Sequence, residues 1–534
     1  MATSVDGMPA TAGHRSHEGE AMKLRSVVAG LSAAVAGVAA FDRAQRRQAI
    51  WRNFPVIGHG RNLVQLVGPE MRQYWFARDN EEKPFNRDQR TWVAESAERR
   101  NNYFGFGTDE DLEASPNWLI FKQAAFPLSA VPKGYDALPG AKVLGGARRR
   151  RYAFRPTSVF NASAMSYGSL SGPAVEAINR GAKLAGCWQN TGEGGLSEHH
   201  RHGGDLVFQI GTGYFGCRDA AGRFDLDRLL ELVASAPVRA IEVKLSQGAK
   251  PGLGGVLPAA KVTPEIARLR GVPVGVDCVS PAAHSAFTDV SSLLDFVETL
   301  AEATGLPVGV KSAVGELRFW QALARAMAHD QGRGVDFITV DGGEGGTGAA
   351  PLVFTDHVAL PLKIALSRVF AIFAEPGIDD RVTFIASGKL GFPDAALLAF
   401  SLGADLVNVG REAMLSIGCI QARKCHTGRC PVGVATQSPY LAGGLDPTLK
   451  RVRFANYLST LRHETLMLTR ACGEVHPALV SSEHLEILDG RFGSSSVREL
   501  FGYQPEWGLP DEAAARTIRD VMHQLESGTR PPVP

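Results

Sequence analysis

Apolar and polar positions change rhythm along the chain. From about Thr157 onward, apolar runs of four to six residues alternate with stretches of helical spacing, and the runs end in Gly-, Ser- or Asn-rich turns. The runs are Val159–Ser163, Gly186–Asn190, Val207–Ile210, Ala240–Leu245, Val308–Lys311, Phe337–Val340, Val382–Ala386 and Leu406–Val409. Helical stretches between them include Ala174–Ala185, Leu293–Ala303, Phe319–Ala328 and Pro393–Leu402. Short strands separated by helices pair in parallel, and eight such units predict an α/β fold, a (β/α)8 barrel. Gly271–Val279 is one extended segment too many for that count.

Outside the barrel the pattern differs. Met1–Met22 is polar and expected to be disordered. Ser26–Phe41 is an uncharged Ala/Val/Gly-rich run, with Lys23 and Arg25 before it and Arg43, Arg46 and Arg47 after. It is shorter than the roughly 20 residues of a membrane span. Begun at Met22, it resembles a signal peptide or a short anchor. The expected localisation is cytoplasmic, with this run as the candidate for membrane contact. Leu63–Phe76 and Arg87–Glu98 have helical spacing around a loop containing Pro84, and predict a mostly helical N-terminal cap. Asp446 to Gly473 reads as helices packing under the barrel, and Pro510–Glu526 as a last helix before a Pro-rich tail. The predicted division is residues 1–52 with the 26–41 run, a cap at 53–135, the barrel at 136–475 and a C-terminal extension at 476–534.

The formal net charge of +2 calls for no special partner. Arg148–Arg151 is the dense basic run; without interleaved aromatics it reads as a solvated loop and not a nucleic-acid patch.

Cysteine placement does change the picture. Three of the seven cysteines, Cys419, Cys425 and Cys430, lie within twelve positions, with a Pro after the last. Thiolates in a short loop are soft ligands for iron–sulfur clusters or zinc. The paired spacing usual for structural zinc is absent, and three thiolates fit a cluster with three cysteine-ligated irons. Zinc with His426 as fourth ligand and unmetallated buried thiols are the alternatives.

Chemistry in such barrels sits on the loops after strand C-termini. Here those loops carry Ser163, Met165 and Ser166; Asn190 and Glu193; Lys244, Gln247 and Lys250; Lys311; Gly345, Gly346 and Thr347; Gly388 and Lys389; and Gly410 and Arg411. Backbone amides of Gly-rich turns form nests for phosphate, and barrels often place that site after strands seven and eight. Lys244 and Lys311 could neutralise oxygens of a reduced ring. His199, His200, His202 and His284 read as loop histidines near the mouth, one of them a candidate proton donor.

Ser163-Ala-Met-Ser-Tyr-Gly-Ser169, Asn190-Thr-Gly-Glu-Gly-Gly195, Gln247-Gly-Ala-Lys-Pro-Gly252, Gly345-Gly-Thr-Gly-Ala349 and the cysteine loop, in that order, resemble the FMN-binding synthase domain of glutamate synthase. Asn53–His59 and Pro84–Gln89 resemble its stand-alone bacterial branch. The resemblance implies FMN, a 3Fe–4S cluster on Cys419, Cys425 and Cys430, and reduction of 2-iminoglutarate, made from 2-oxoglutarate and ammonia, to L-glutamate. It places the loops at Met165 and Asn190 by the flavin ring and those at Gly346, Gly388 and Gly410 around its phosphate. Glu193, Lys250 and Arg270 match positions lining the keto-acid pocket. Ammonia would come free or from a glutaminase partner, since no cysteine precedes Cys187 to serve a glutaminase domain. Electrons would come from ferredoxin or an NAD(P)H-linked subunit. Two departures bear on the substrate: Val256 stands where the family has Gln, and Pro281-Ala-Ala-His-Ser285 where it has Pro-Pro-Pro-His-His. Three other readings remain: an FMN barrel acting on a different amino or keto acid, an electron-transfer subunit, and a barrel of the IMP dehydrogenase kind with a cysteine nucleophile.

Overall fold

The computed structural model describes residues 14–129 and 137–527. The polar start before residue 14 and the Pro-rich tail after residue 527 lie outside the described residues. The chain separates into two compact units, Met1–Arg87 and Asp88–Pro534.

In the first unit, helix α1 (His14–Ala44) begins inside the stretch expected to be disordered. Its Met22–Ala44 portion is long and apolar enough to cross a membrane, and the apolar window within it is unburied. The apolar window is thus longer than Ser26–Phe41 suggests, because Met22 and Leu24 extend it past Lys23 and Arg25. A signal sequence would pass the same test of length and composition. Asp42, fully buried near the end of α1, accepts hydrogen bonds from the Val56 amide at 2.8 Å and from His59 Nε2 at 2.9 Å. Gly58–Met71 follows as the cap's helix, and its last turn widens into a π-helix at Arg72–Phe76.

The second unit holds a closed, all-parallel eight-stranded barrel: β1 (Phe160–Ala162), β2 (Trp188–Asn190), β3 (Asp205–Ile210), β4 (Val238–Lys244), β5 (Val308–Ala313), β6 (Phe337–Asp341), β7 (Thr383–Ser387) and β8 (Leu406–Val409). All eight expected strands form, and β8 closes on β1 through Val407 opposite Phe160. The surplus segment is resolved: Cys278–Val279 pairs antiparallel with Val256–Leu257 in a ribbon outside the barrel.

Helix α2 (Gly172–Ala185) shows how sequence sets the crossovers. Ser171 caps its start by accepting from the Ala174 amide, Pro173 sits in the first turn, and Gly186 ends it at φ 63°. The long helix Pro447–Ala471 lies along α2: a Cβ on Gly181 would stand 2.7 Å from Arg451 O, so only glycine permits that approach. Arg462 of the long helix is buried and donates to Ser158 Oγ at 3.1 Å and Ala185 O at 2.5 Å. On its other side Glu464 accepts from Trp92 Nε1 at 3.0 Å and Asn102 Nδ2 at 2.6 Å. A further sheet joins Leu119–Phe121 to Leu485–Leu488 and Ser494–Ser496, so the C-terminal extension is part sheet, not only helix.

The arginine run is not a solvated loop. Arg150 pairs with Glu298 at 2.6 Å and with Asp336 at 2.9 Å at the N-terminal end of the strands, and Arg148 is buried beside the same Asp336. Ionic attraction outweighs burial there and holds the Arg150 guanidinium above its ordinary pKa. A cavity of about 310 Å³ opens at this end, lined by Lys142, Arg155, Asp336 and Arg381 among others. Its Lys142 is already matched by Asp405 at 3.1 Å.

Candidate active site

The opposite end, the C-terminal mouth, gathers the candidate residues. β4 reads Val-Arg-Ala-Ile-Glu-Val-Lys and is buried along nearly its whole length. Glu242 and Lys244, two apart, therefore share a face, which is the barrel interior. Glu242 is 1% exposed and accepts from Asn190 Nδ2 at 2.7 Å, Gln209 Nε2 at 2.6 Å and Thr339 Oγ1 at 2.6 Å. This polar plug was not singled out from the sequence. The signal was there: a carboxylate inside an apolar strand, in register with Lys244.

Above the plug stands the charged cluster. Lys244 Nζ donates to Glu193 Oε1 at 2.6 Å and to Gln247 Oε1 at 2.8 Å. The charges of Lys250 and Arg270 also act on Glu193; burial works to raise its carboxyl, but the cations, led by Lys244, hold it below the ordinary value. Lys250 is 4% exposed, and its Nζ donates to Ala349 O at 3.0 Å. Burial, then the Lys244 charge, push its ammonium down to about 8. Arg270 ends helix α3 (Pro264–Arg270), capped at Thr263 and stopped by Gly271 at φ 62°. It is 5% exposed, donates to Tyr167 O at 3.1 Å and lies over the Phe215 ring at 5.2 Å, while its Nε has no partner among the described residues. Three cations face Glu193, with the Glu242 carboxylate below them, so this buried cluster keeps an excess of positive charge and suits a dianion with two carboxylates.

Glycines bring the loops together. A Cβ on Gly211 or Gly255 would stand 2.5 Å from a Glu193 oxygen, one on Gly248 1.8 Å from Gly342 O, and one on Gly254 1.8 Å from Ser280 O. The loop from Ser246 to Val256 is thus laid directly on neighbouring backbone.

The remaining candidates ring the same mouth. Gly192 lies on the Ser166 amide, and the Ser163 amide donates to Val409 O at 2.8 Å beside Gly410. Met165 and Ser166 are half-buried, and Asn190 is fixed by Glu242 and by the Gly192 amide. Gln247 Nε2 reaches Thr347 Oγ1 at 3.4 Å, and Gly345 follows the Asp341 turn. Arg411 lies across Gly346 and donates to Glu344 O at 2.5 Å. Gly388 has φ 151° against Leu362, and Lys389 follows it at φ 56°. Lys311 pairs with Asp341 at 3.5 Å, which outweighs burial and raises its ammonium.

His284 and His200 are placed otherwise than a proton donor requires. His284 is buried with both nitrogens engaged: Nε2 lies 2.8 Å from Lys244 O, and Nδ1 3.1 Å from Tyr214 Oη. Tyr214 Oη accepts from the Ser285 and Ala286 amides, so it donates to Nδ1 and the ring is neutral. His200 Nδ1 accepts from the Ser197 amide, and burial holds the ring at about 3. His199 and His202 lie near Glu265 and Glu176.

The cysteine loop runs on from a short helix after β8, Arg411–Ser416. Burial, with Cys425 and Cys430 adding to it, raises the Cys419 thiol to about 11, and burial, with Cys430 adding to it, raises Cys425. Left as thiols, Cys419 and Cys425 would stay protonated; a soft metal would bind them as thiolates. No group of three His, Cys, Asp or Glu among the described residues is arranged around a single ion, and His426 is exposed. Three thiolates that each meet a different iron need no such convergence.

The family model described as "Conserved region in glutamate synthase" matches residues 148–475. The chain is similar to the glutamate synthase large subunit-like protein YerD of Bacillus subtilis, 37% identical over 83% of this chain and 90% of the relative. It is also similar to an archaeal glutamate synthase [NADPH] of Methanocaldococcus jannaschii, 37% identical over 58% of each chain, little more than half that relative's length. Among solved structures, a mandelate oxidase with (S)-4-hydroxymandelic acid overlaps it at a TM-score of 0.41 and 16% identity, covering 76% of this chain and 90% of that one; an overlap so loose carries no argument.

Proposed function

The chain belongs to the glutamate synthase family, and from that premise we propose that it reduces 2-iminoglutarate, formed from 2-oxoglutarate and ammonia, to L-glutamate with FMN and a 3Fe–4S cluster. The observation that carries the reading is the buried cluster of Glu193, Lys244, Lys250 and Arg270, with its excess of positive charge. The residues present fit both cofactors. Backbone at Gly345, Gly346, Gly388 and Gly410, with Lys389 and Arg411, would cradle the flavin phosphate, while Ser163, Met165, Ser166 and Asn190 would border its ring. Cys419, Cys425 and Cys430 would hold the cluster. When bound, the pair would deliver a hydride loaded by single-electron steps.

This chain's own residues do the rest. Arg270, with its unpartnered Nε, and Lys250 would bind the two carboxylates. Lys244 is fixed between Glu193 and Gln247 and screens the carboxylate from the substrate. Lys250 Nζ, with a pKa of about 8, is the group able to hold or release a proton near neutral pH. Electrons would come from an NAD(P)H-linked subunit or ferredoxin, and ammonia free or from a glutaminase partner. A cytoplasmic location goes with this reading, since the cysteine loop would take up its cluster in a reducing compartment.

An absorbance spectrum of anaerobically purified protein, with iron and sulfide counted on the same sample, tests this. Flavin bands with about three irons per chain are expected, and Cys425→Ser should remove the iron. A Cys425→Ser protein that keeps its iron sinks the cluster assignment. A second reading, a different keto acid, is favoured by Val256, which is 40% exposed on the ribbon at the loop's edge where the family has an amide. Flavin reoxidation by a panel of keto acids with ammonia separates the two.

A further inference from the structure

We propose that Lys261 is the counter-charge of the cysteine loop: it sets the reduction potential of the cluster and ties that loop to the flavin-side turn at Gly168–Leu170. The inference rests on the cluster reading above and concerns a residue that reading leaves without a role.

Lys261 closes a single 3-10 turn (Ala259–Lys261) and is 2% exposed. Its Nζ donates to Ser169 O at 3.1 Å, and among the described residues no carboxylate lies within ion-pair distance. Cys425 and Cys430 lie close enough to act on it electrostatically once they are thiolates. Gly428, between those cysteines, lies against its stem: a Cβ there would meet Lys261 Cγ at 3.9 Å. The loop is stitched to the same turn from its other end. Thr436 Oγ1 donates to Gly428 O at 2.5 Å, and Gln437 Nε2 donates to Gly168 O at 3.1 Å and Leu170 O at 2.8 Å.

A buried ammonium with one carbonyl for company is costly, and it becomes favourable when an anion sits beside it. Three thiolates and their irons supply that anion. Adding an electron makes the cluster more negative, so a fixed cation favours the reduced form and raises the potential. Lys261 also precedes α3, whose last residue is Arg270, so one short segment spans from the cluster to the keto-acid pocket.

The test uses the full chain with its cofactors, in wild-type, Lys261→Met and Lys261→Arg forms. Iron and sulfide are counted, and the cluster is titrated with EPR detection. Lys261→Met should keep its iron while its one-electron equilibrium shifts at least tenfold toward the oxidised form, about 59 mV more negative; Lys261→Arg should stay near wild type. Loss of iron from the Met variant alone would also support the counter-charge. A Met variant with full iron and the wild-type midpoint overturns the proposal, as does iron loss from both variants, which would mark a packing role. A wild-type protein that never holds iron overturns the cluster reading itself, a distinct failure.

Discussion

Lys250 shows how one side chain trades stability for binding. Its ordinary pKa of 10.5 falls to about 8 in the fold, so the unfolded chain binds that proton more tightly. Between those values the unfolded state carries more protons, and stability rises with pH as the strain of a buried ammonium is relieved. The functional effect has the opposite sign: above about pH 8 the pocket loses a positive charge, and keto-acid affinity should fall as pH climbs through that value, read as a rising KM or a weaker Kd by titration. Lys250→Met should raise the stability of the ligand-free protein by about 1–3 kcal/mol while weakening keto-acid binding and leaving the flavin content unchanged. Sequence alone puts Lys250 on a loop after a strand's C-terminal end and reaches Arg270 only through the family resemblance. It does not reveal the missing partner at Arg270 Nε or the engagement of both His284 nitrogens, because those depend on groups from distant loops.

The loop from Ser246 to Val256 is held as a unit by backbone contact. Gly248→Ala and Gly254→Ala each place a Cβ 1.8 Å from a carbonyl oxygen, a clash only backbone movement can relieve. Each should cost about 1–3 kcal/mol and expel the loop. Hydrogen exchange should then lose protection over residues 246–256 while the barrel strands keep theirs. Strand–helix alternation was legible because each barrel strand carries its own apolar run and turn. The sheet joining Leu119–Phe121 to Leu485–Leu488 was not: its strands are three or four residues long, and Leu119 pairs with Ile487 from the far end of the sequence. The two-residue ribbon at Cys278–Val279 was visible as an extended segment, yet nothing local says that it leaves the barrel.

The barrel as a whole divides its labour between its ends. Arg150, Glu298 and Asp336 lock the N-terminal end, and the excess of positive charge occupies the other. Arg150→Leu should destabilise the protein by about 3 kcal/mol, because half-buried Glu298 loses its cation and buried Asp336 is left with Arg148 alone, and should leave keto-acid affinity in the surviving folded protein unchanged; thermal unfolding and ligand titration on one sample check both. The arginine run could not be read as buried from sequence, since its acids lie 148 and 186 residues downstream. The closure of β8 on β1 also orders events during synthesis. A nascent chain can pair β1 with β2 and go on to β6, but Phe160 has no neighbour on its open side until Val407 has left the ribosome. The edge of β1 therefore stays exposed through most of translation, a hazard that parallel sheets share. Cys419, Cys425 and Cys430 follow β8 after the short helix Arg411–Ser416, so any metal they take would be loaded only onto a chain whose barrel is ready to shut.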